Sequence, residues 1–265
     1  DAVVDFLSNP RTALITAATG APVRGGIRAG GPRDLAYTDL LPREREAVYI
    51  ARQKVRLLGP LGVDAEAVMD LSLDVAVGDA ERAWAAEVWE RTGLAEAGPV
   101  VAIPPVSREP FKQWGAERWA AVADRIGDLG YGLLITSGPG ERAQVEAVVG
   151  RMRHRAVWDY GPTTIRQLAA LYERCVLWAG NDGGPKHVAV AAGAPTVTVM
   201  RWKLGPVWTD GAHAVPHVAI ERPPPQGCDR RCARCMHLGC LGAVAVDDVA
   251  EAVAEALGRP EPAGR

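Results

Sequence analysis

This chain of 265 residues lacks an excess of charge of either sign, and it lacks long apolar runs. Lys and Arg number 30 against 32 Asp and Glu, a net of −2 with a pI near 6.3. No bulk basic field therefore exists to hold nucleic acid or an anionic membrane by charge alone, although local basic patches are allowed. Every apolar run falls far short of the ~20 residues that cross a bilayer, and the amino terminus has no basic region followed by a long apolar core. Neither a transmembrane segment nor a signal peptide is expected, which favours the cytoplasm, with at most peripheral membrane contact. Cysteine is sparse until near the end, where Cys228, Cys232, Cys235 and Cys240 crowd together. Cys175 stands alone in an apolar run and reads as core.

What is present is a 48% apolar composition with 29 Gly and 20 Pro, enough for one large core or two modest ones with many turns. Apolar, β-rich runs recur at 100–103, 133–136, 156–158, 175–178, 196–200 and 218–220. Helical patterns lie between most of them. The stretch 116–129 puts Trp119, Val122 and Ile126 on one face and stops at Gly130, and 141–152 aligns Val145, Val148, Val149 and Met152. Thr163 or Thr164 can cap a helix carrying Leu168 and Leu171. Strands separated by such helices are expected to lie parallel with right-handed crossovers, so the spacing predicts an α/β fold with a Rossmann-like domain over 98–246.

Ahead of it, 1–93 reads as a partial first domain: one strand near 2–7, helices over 44–58 and 79–91, then a linker. Because the chain opens within that strand, the first domain is expected to lack its opening βα units. A closing helix over 247–258 is expected to pack back toward the first domain.

The most informative stretch runs from Ala179 to Val197, where Asn181-Asp-Gly-Gly-Pro-Lys-His lies between two apolar runs. Asp182-Gly183-Gly184 reads as a tight loop and Pro185 as the opening of a helix. The first helical turn leaves backbone N–H groups unpaired at the positive end of the helix dipole, so an anion is stabilised there, with Lys186 and His187 as added donors. An ordinary strand-to-helix connection is the competing reading.

Several segments together resemble glycosyltransferase family 9, the ADP-heptose:lipopolysaccharide heptosyltransferases: Asp5-Phe-Leu-Ser-Asn-Pro-Arg, Pro104-Pro-Val-Ser with Lys112-Gln-Trp, Gly138-Pro-Gly-Glu, and the run from Asn181 to Ala189. The resemblance implies a GT-B architecture, two Rossmann-like domains, with the second holding a nucleotide-sugar and the first the acceptor. It further implies inverting transfer of a heptose or related sugar from a nucleotide diphosphate donor, most simply ADP-heptose, to a lipopolysaccharide core, with no cofactor and no nucleic acid.

On that reading Ser107 donates to a phosphate, Lys112 offsets charge on the leaving diphosphate, Glu141 accepts from the ribose, and Asp182 shapes the loop or touches the sugar. Gly183, Gly184, Lys186 and His187 complete the donor side, and Asn9 and Arg11 stand on the acceptor side. Each also has a plain structural reading: a turn hydroxyl, a solvated lysine, a first-turn acid, a satisfied histidine, a surface arginine. Two positions depart from the family pattern: Gly183 replaces a hydroxyl residue and Lys186 an apolar one. The loop after Met200, Arg-Trp-Lys-Leu-Gly-Pro-Val-Trp, departs as well. The family's catalytic base segment has no counterpart, so no base is assigned; Gly78-Asp79 reads as a helix cap and Gly127-Asp128 as a helix end.

The four clustered cysteines, with His237 as a substitute ligand, can be written as a structural zinc site. No metal is expected for the transfer. Two rival readings stay open: a nucleotide-binding remnant without turnover, and a zinc-stabilised interaction module on a Rossmann scaffold.

Overall fold

A computed structural model describes residues 1–44, 47–209, 215–228 and 239–258. The chain divides into two compact units, residues 1–71 with 206–208, and residues 72–205 with 209–265. Among the described residues no helix is long and apolar enough to cross a membrane.

In the first unit β1 (Ala2–Val4), β2 (Val23–Ile27) and β3 (Asp39–Leu41) form a parallel sheet in that order. The helix α1 (Pro10–Ala18) follows β1, and α2 (Ile50–Arg56) is shorter than the 44–58 expected. Sequence reading found one strand here, and the structure has three. β2 was illegible because its Gly25-Gly26 pair weakens any strand signal, yet the fold needs it: a Cβ on Gly26 would lie 2.4 Å from the Tyr37 ring. Tyr37 is 7% exposed and its hydroxyl donates to Asp5 Oδ2 at 2.7 Å; burial and this carboxylate push its phenol up to about 12.

The second unit is a five-stranded, all-parallel sheet in the order β5-β4-β6-β7-β8. Its strands are β4 (Val100–Ile103), β5 (Gly132–Ile135), β6 (Leu177–Asn181), β7 (Thr196–Val199) and β8 (His217–Ile220). The first four are buried along their whole length, as strands covered on both faces must be. Alternate residues feed two cores. Val101, Ile103, Leu133, Leu177 and Val197 meet α4 (Ala116–Asp128), α5 (Arg142–Val149) and α10 (Val246–Ala256) on one face. Val100, Ala102, Leu134 and Trp178 meet α3 (Asp79–Thr92), α6 (Ile165–Tyr172) and α7 (Gly184–Ala191) on the other. The short helices α8 (Gly205–Trp208) and α9 (Gly239–Gly242) complete the described set.

The boundary between the compact units lies near residue 71, because α3 buries Ala85, Val88 and Trp89 in the second unit's core against α6. In α10, Val249 and Val253 pack on α4 and the sheet. The strand expected at 156–158 is reduced to one parallel bridge, Leu134 with Val157. Two minor readings hold: Gly78 caps α3, and α4 ends at Asp128.

Candidate functional site

In an open parallel sheet the binding crevice lies beyond the carboxyl ends of the strands, where the connections diverge to either side. Here the chain leaves β4 for β5 on one side and returns to β6 on the other. The segments that follow β4, β5 and β6 enclose a cavity of about 370 Å³ at that point. Ser107, Lys112, Glu141, Asp182, Gly183 and Gly184 all line it, so six of the expected donor-side residues, from three separate stretches of chain, converge.

Local chemistry explains the convergence. Asn181, the last residue of β6 and 3% exposed, holds three groups at once. Its Nδ2 donates to the Pro105 carbonyl at 2.7 Å, while Oδ1 accepts from the Trp114 backbone N–H and from Trp119 Nε1, both at 3.2 Å. The two tryptophans meet edge to face at 5.0 Å, and Trp114 Nε1 donates to the Val244 carbonyl. The Gln113 side chain donates to the Ser107 carbonyl at 2.7 Å and ties the loop's two ends together. β6 also runs against this loop so closely that a Cβ on Gly180 would lie 2.6 Å from Pro104 Cγ. Gly180→Ala is therefore expected to shift the Pro104 loop and lower the thermal midpoint by several degrees, read by calorimetry.

The electrostatics centre on Lys112 and Asp182, whose Nζ and Oδ2 lie 2.7 Å apart. Asp182 is nearly buried and Lys112 only partly so, so the carboxylate anchors the ammonium at the cavity wall. Gly183 leads into α7 with an extended backbone (φ 178°), Pro185 sits in the first turn, and Gly183, Gly184 and Pro185 all line the cavity. The Glu141 carboxylate accepts from the Gly138 backbone N–H at 2.6 Å, closing its own loop while lining the cavity. Arg108 lines the cavity as well and has no ion-pair partner among the described residues. Sequence reading passed over both Arg108 and Asn181 as individual residues; the signal was their position one residue beyond Ser107 and one before Asp182.

Lys186 and His187 do not belong to the lining. Lys186 was expected beside the anion, but it is fully buried and its Nζ donates to Thr209 Oγ1 at 2.8 Å. Burial lowers its ammonium to about 8, against a smaller opposing pull from Asp182. His187 is half-buried, and burial, with the Lys186 charge next, holds its imidazole below the usual range.

In the first unit Asn9 caps α1: its Oδ1 accepts from the Arg11 and Thr12 backbone N–H groups at 3.0 Å. Arg11 is exposed. Asp5 is buried with its carboxylate held by the Leu7 and Ser8 backbone N–H groups and by Tyr37. Among the described residues Cys228 and Cys240 have no disulfide partner; Cys232, Cys235 and His237 lie outside the described residues. Among the described residues no group of three or more potential metal ligands comes together.

The chain is similar to known proteins. The chain is 27% identical over 178 residues to lipopolysaccharide heptosyltransferase 3 of Escherichia coli K12, covering 66% of this chain and 50% of that protein. It is 29% identical over 97 residues to the lipopolysaccharide core heptosyltransferase OpsX of Haemophilus influenzae, covering 36% of this chain and 28% of that protein. The chain thus spans about half the length, or less, of these curated relatives. Among solved structures, a family 9 glycosyl transferase from Veillonella parvula superposes with a TM-score of 0.75 at 24% identity, covering 97% of this chain and 73% of that one. The Escherichia coli heptosyltransferase WaaC, solved with ADP, gives a TM-score of 0.61 at 15% identity, covering 97% and 73%. These likenesses establish a GT-B-like α/β fold. Since residues 1–202 match the family model for glycosyltransferase family 9 (heptosyltransferase), the chain belongs to that family.

Proposed function

We propose that the cavity beyond β4, β5 and β6 seats the diphosphate of a nucleotide-sugar, and that the protein transfers a heptose from ADP-heptose to a lipopolysaccharide core sugar with inversion. One observation carries the reading: a hydroxyl, an ammonium, an acid and a glycine turn opening a helix, from three distant stretches, line one cavity at the sheet's divergence point. The heptosyltransferase names of the relatives support the sugar and the acceptor, and the ADP held by WaaC supports the base.

Bond cleavage leaves a nucleoside diphosphate with more negative charge than the bound donor, so donors that meet that charge lower the barrier. Lys112 supplies the cation, Ser107 a hydroxyl and the opening of α7 backbone N–H groups, while Asp182 fixes the ammonium's position. Glu141 faces the ribose. The protein's acceptor side falls to the first unit, with Arg11 suited to an acidic sugar. The catalytic base is not assigned to any residue of this chain.

Calorimetric titration with ADP, UDP and GDP tests the donor reading. ADP is expected to bind most tightly, and Lys112→Met to weaken it about tenfold, equivalent to about 1.4 kcal/mol. Absence of ADP binding, or ADP binding that Lys112→Met leaves intact, would overturn it.

A gain-of-affinity variant gives a second check. Gly183 has an extended φ that any residue adopts, and a Cβ there meets only Pro185 Cδ at 3.6 Å, an ordinary contact. Gly183→Ser adds a hydroxyl to the lining, and one added hydrogen bond of about 1 kcal/mol corresponds to roughly fivefold tighter ADP. The thermal midpoint of the free protein should not move. Weaker ADP binding in this variant would place the diphosphate elsewhere.

A further inference from the structure

The loop that follows β7 builds a second cavity of about 240 Å³ that shares no residue with the first. Arg201, Trp202, Lys203 and Leu204 line it together with Pro224, Cys228 and Cys240. The Arg201 guanidinium lies over the Phe111 ring, 4.9 Å from its centroid, and its Nε is buried without a hydrogen-bond partner. A guanidinium keeps its charge at any ordinary pH and presents a fork of donors matched to a carboxylate or phosphate. Arg201 has no acidic partner among the described residues, so stacking on Phe111 holds its guanidinium at the cavity wall without neutralising its charge.

Lys203 adds a second observation. Its φ is +64°, and only Ser8 shares a positive φ among the described non-glycine residues. A lysine in the left-handed region costs about 1 kcal/mol or more and persists only where its surroundings impose it. Here the following residues impose it: the Leu204 and Gly205 backbone N–H groups both donate to Glu221 Oε2, at 3.0 and 3.1 Å. Glu221 is thereby engaged with the backbone, and the loop is held in the form that brings Arg201, Trp202 and Lys203 to one cavity. Two cations beside an indole match a sugar that carries an anion: the ring stacks on the aromatic face while the charged substituent meets the cations.

We propose that this second cavity is a binding subsite for an anionic sugar, bearing phosphate or carboxylate, with Arg201 and Lys203 on the anion and Trp202 against the ring. The inference rests on the reading that the protein handles saccharides, and it adds a charged-sugar site on the second unit, separate from the acceptor side assigned to the first.

The test is calorimetric titration of the whole chain with glucose 6-phosphate, glucuronate and methyl glucoside, each with and without saturating ADP. At least one of the two anionic sugars is expected to bind saturably and salt-dependently, and methyl glucoside is expected not to bind; the tighter anion identifies the charged group. Arg201→Met, which keeps a side chain over Phe111, should weaken the anionic sugar at least tenfold and leave ADP affinity unchanged. Lys203→Gly should weaken it about threefold while raising the thermal midpoint, because glycine occupies φ +64° without strain. A purely structural loop would show the rise in midpoint without the loss of binding. Anionic sugars that bind Arg201→Met as they bind the parent, or that compete with ADP, overturn the subsite. ADP binding without anionic-sugar binding rejects the subsite and keeps the donor reading; Arg201-dependent sugar binding without ADP binding rejects the donor reading instead.

Discussion

Asn181→Leu is expected to destabilise the second unit by about 3 to 5 kcal/mol, because each buried group left without its partner costs about 1 to 3 kcal/mol. Leucine matches the shape of asparagine but removes both polar ends. The Trp114 N–H, the Trp119 indole N–H and the Pro105 carbonyl would each lose the partner they have now. Trp119 is fully buried and Trp114 nearly so, which leaves water little access to replace the lost bonds. The effect should extend to binding, since the same three bonds hold the Pro104–Lys112 loop against β6 and so set where Ser107 and Lys112 stand. Urea unfolding and ADP titration of the same variant read the two consequences. A loss below about 1 kcal/mol with unchanged ADP affinity would show that water or a loop shift satisfies these groups, and that Asn181 does not position the site. Asn181→Asp keeps an acceptor for both tryptophans but buries a carboxylate against the Pro105 carbonyl, so a loss at least as large as that of leucine is expected.

The second unit was legible because its chemistry is strong and local. Runs such as Val100–Ile103 and Leu177–Asn181 are apolar throughout, which only a sheet covered on both faces requires, and helical stripes fill the gaps between them. The first unit was not, because β2 depends on tertiary contact: Gly26 is needed so that Tyr37 can lie against the strand, and no sequence period announces that. α3 was legible as a helix but not as a member of the second core, since its Ala85, Val88 and Trp89 stripe says that it packs without saying on what. The site divides in the same way. Its residue types could be read from the motifs after each strand, but the Lys112–Asp182 pair joins residues 70 positions apart, and no local rule couples them. Lys186 was misplaced although a signal existed. It stands three residues before Ala189, on the face of α7 that is buried, whereas the first-turn N–H groups point along the helix axis. A residue at a helix start can therefore turn away from a ligand that the helix end itself meets.

That misplacement leads to the second large effect, a protein made more stable by removing a charge. Lys186 is fully buried with its ammonium lowered to about 8 from an ordinary 10.5. The folded state thus disfavours the charged form. Between about pH 8 and 10.5 the unfolded chain binds more protons at this position than the folded one, so stability must rise with pH across that window. Below about pH 8 both states are charged and the folded protein carries the whole penalty, about 3 kcal/mol at roughly 1.4 kcal/mol per pH unit of displacement. Methionine has nearly the same length and no charge. Lys186→Met removes the penalty but also the bond to Thr209, worth about 1 kcal/mol, so a net gain of about 2 kcal/mol is expected at pH 7. At pH 10.5 and above the folded-state lysine is neutral and nothing remains to be relieved, so the variant should become slightly less stable than the parent. Urea unfolding of both proteins at pH 7, 9 and 10.5 should give curves that cross. A stability difference that stays constant with pH would mean that Lys186 is solvated as an ordinary ammonium, and a large loss at pH 7 would mean that its charge is what holds the surrounding loop. Retention of ADP affinity by the same variant is the companion outcome, because the Lys186 side chain does not line the cavity. If ADP affinity fell with Lys186→Met while the fold stayed intact, the lysine would have to reach the diphosphate after all, and the assignment of that role to Lys112 would need revision.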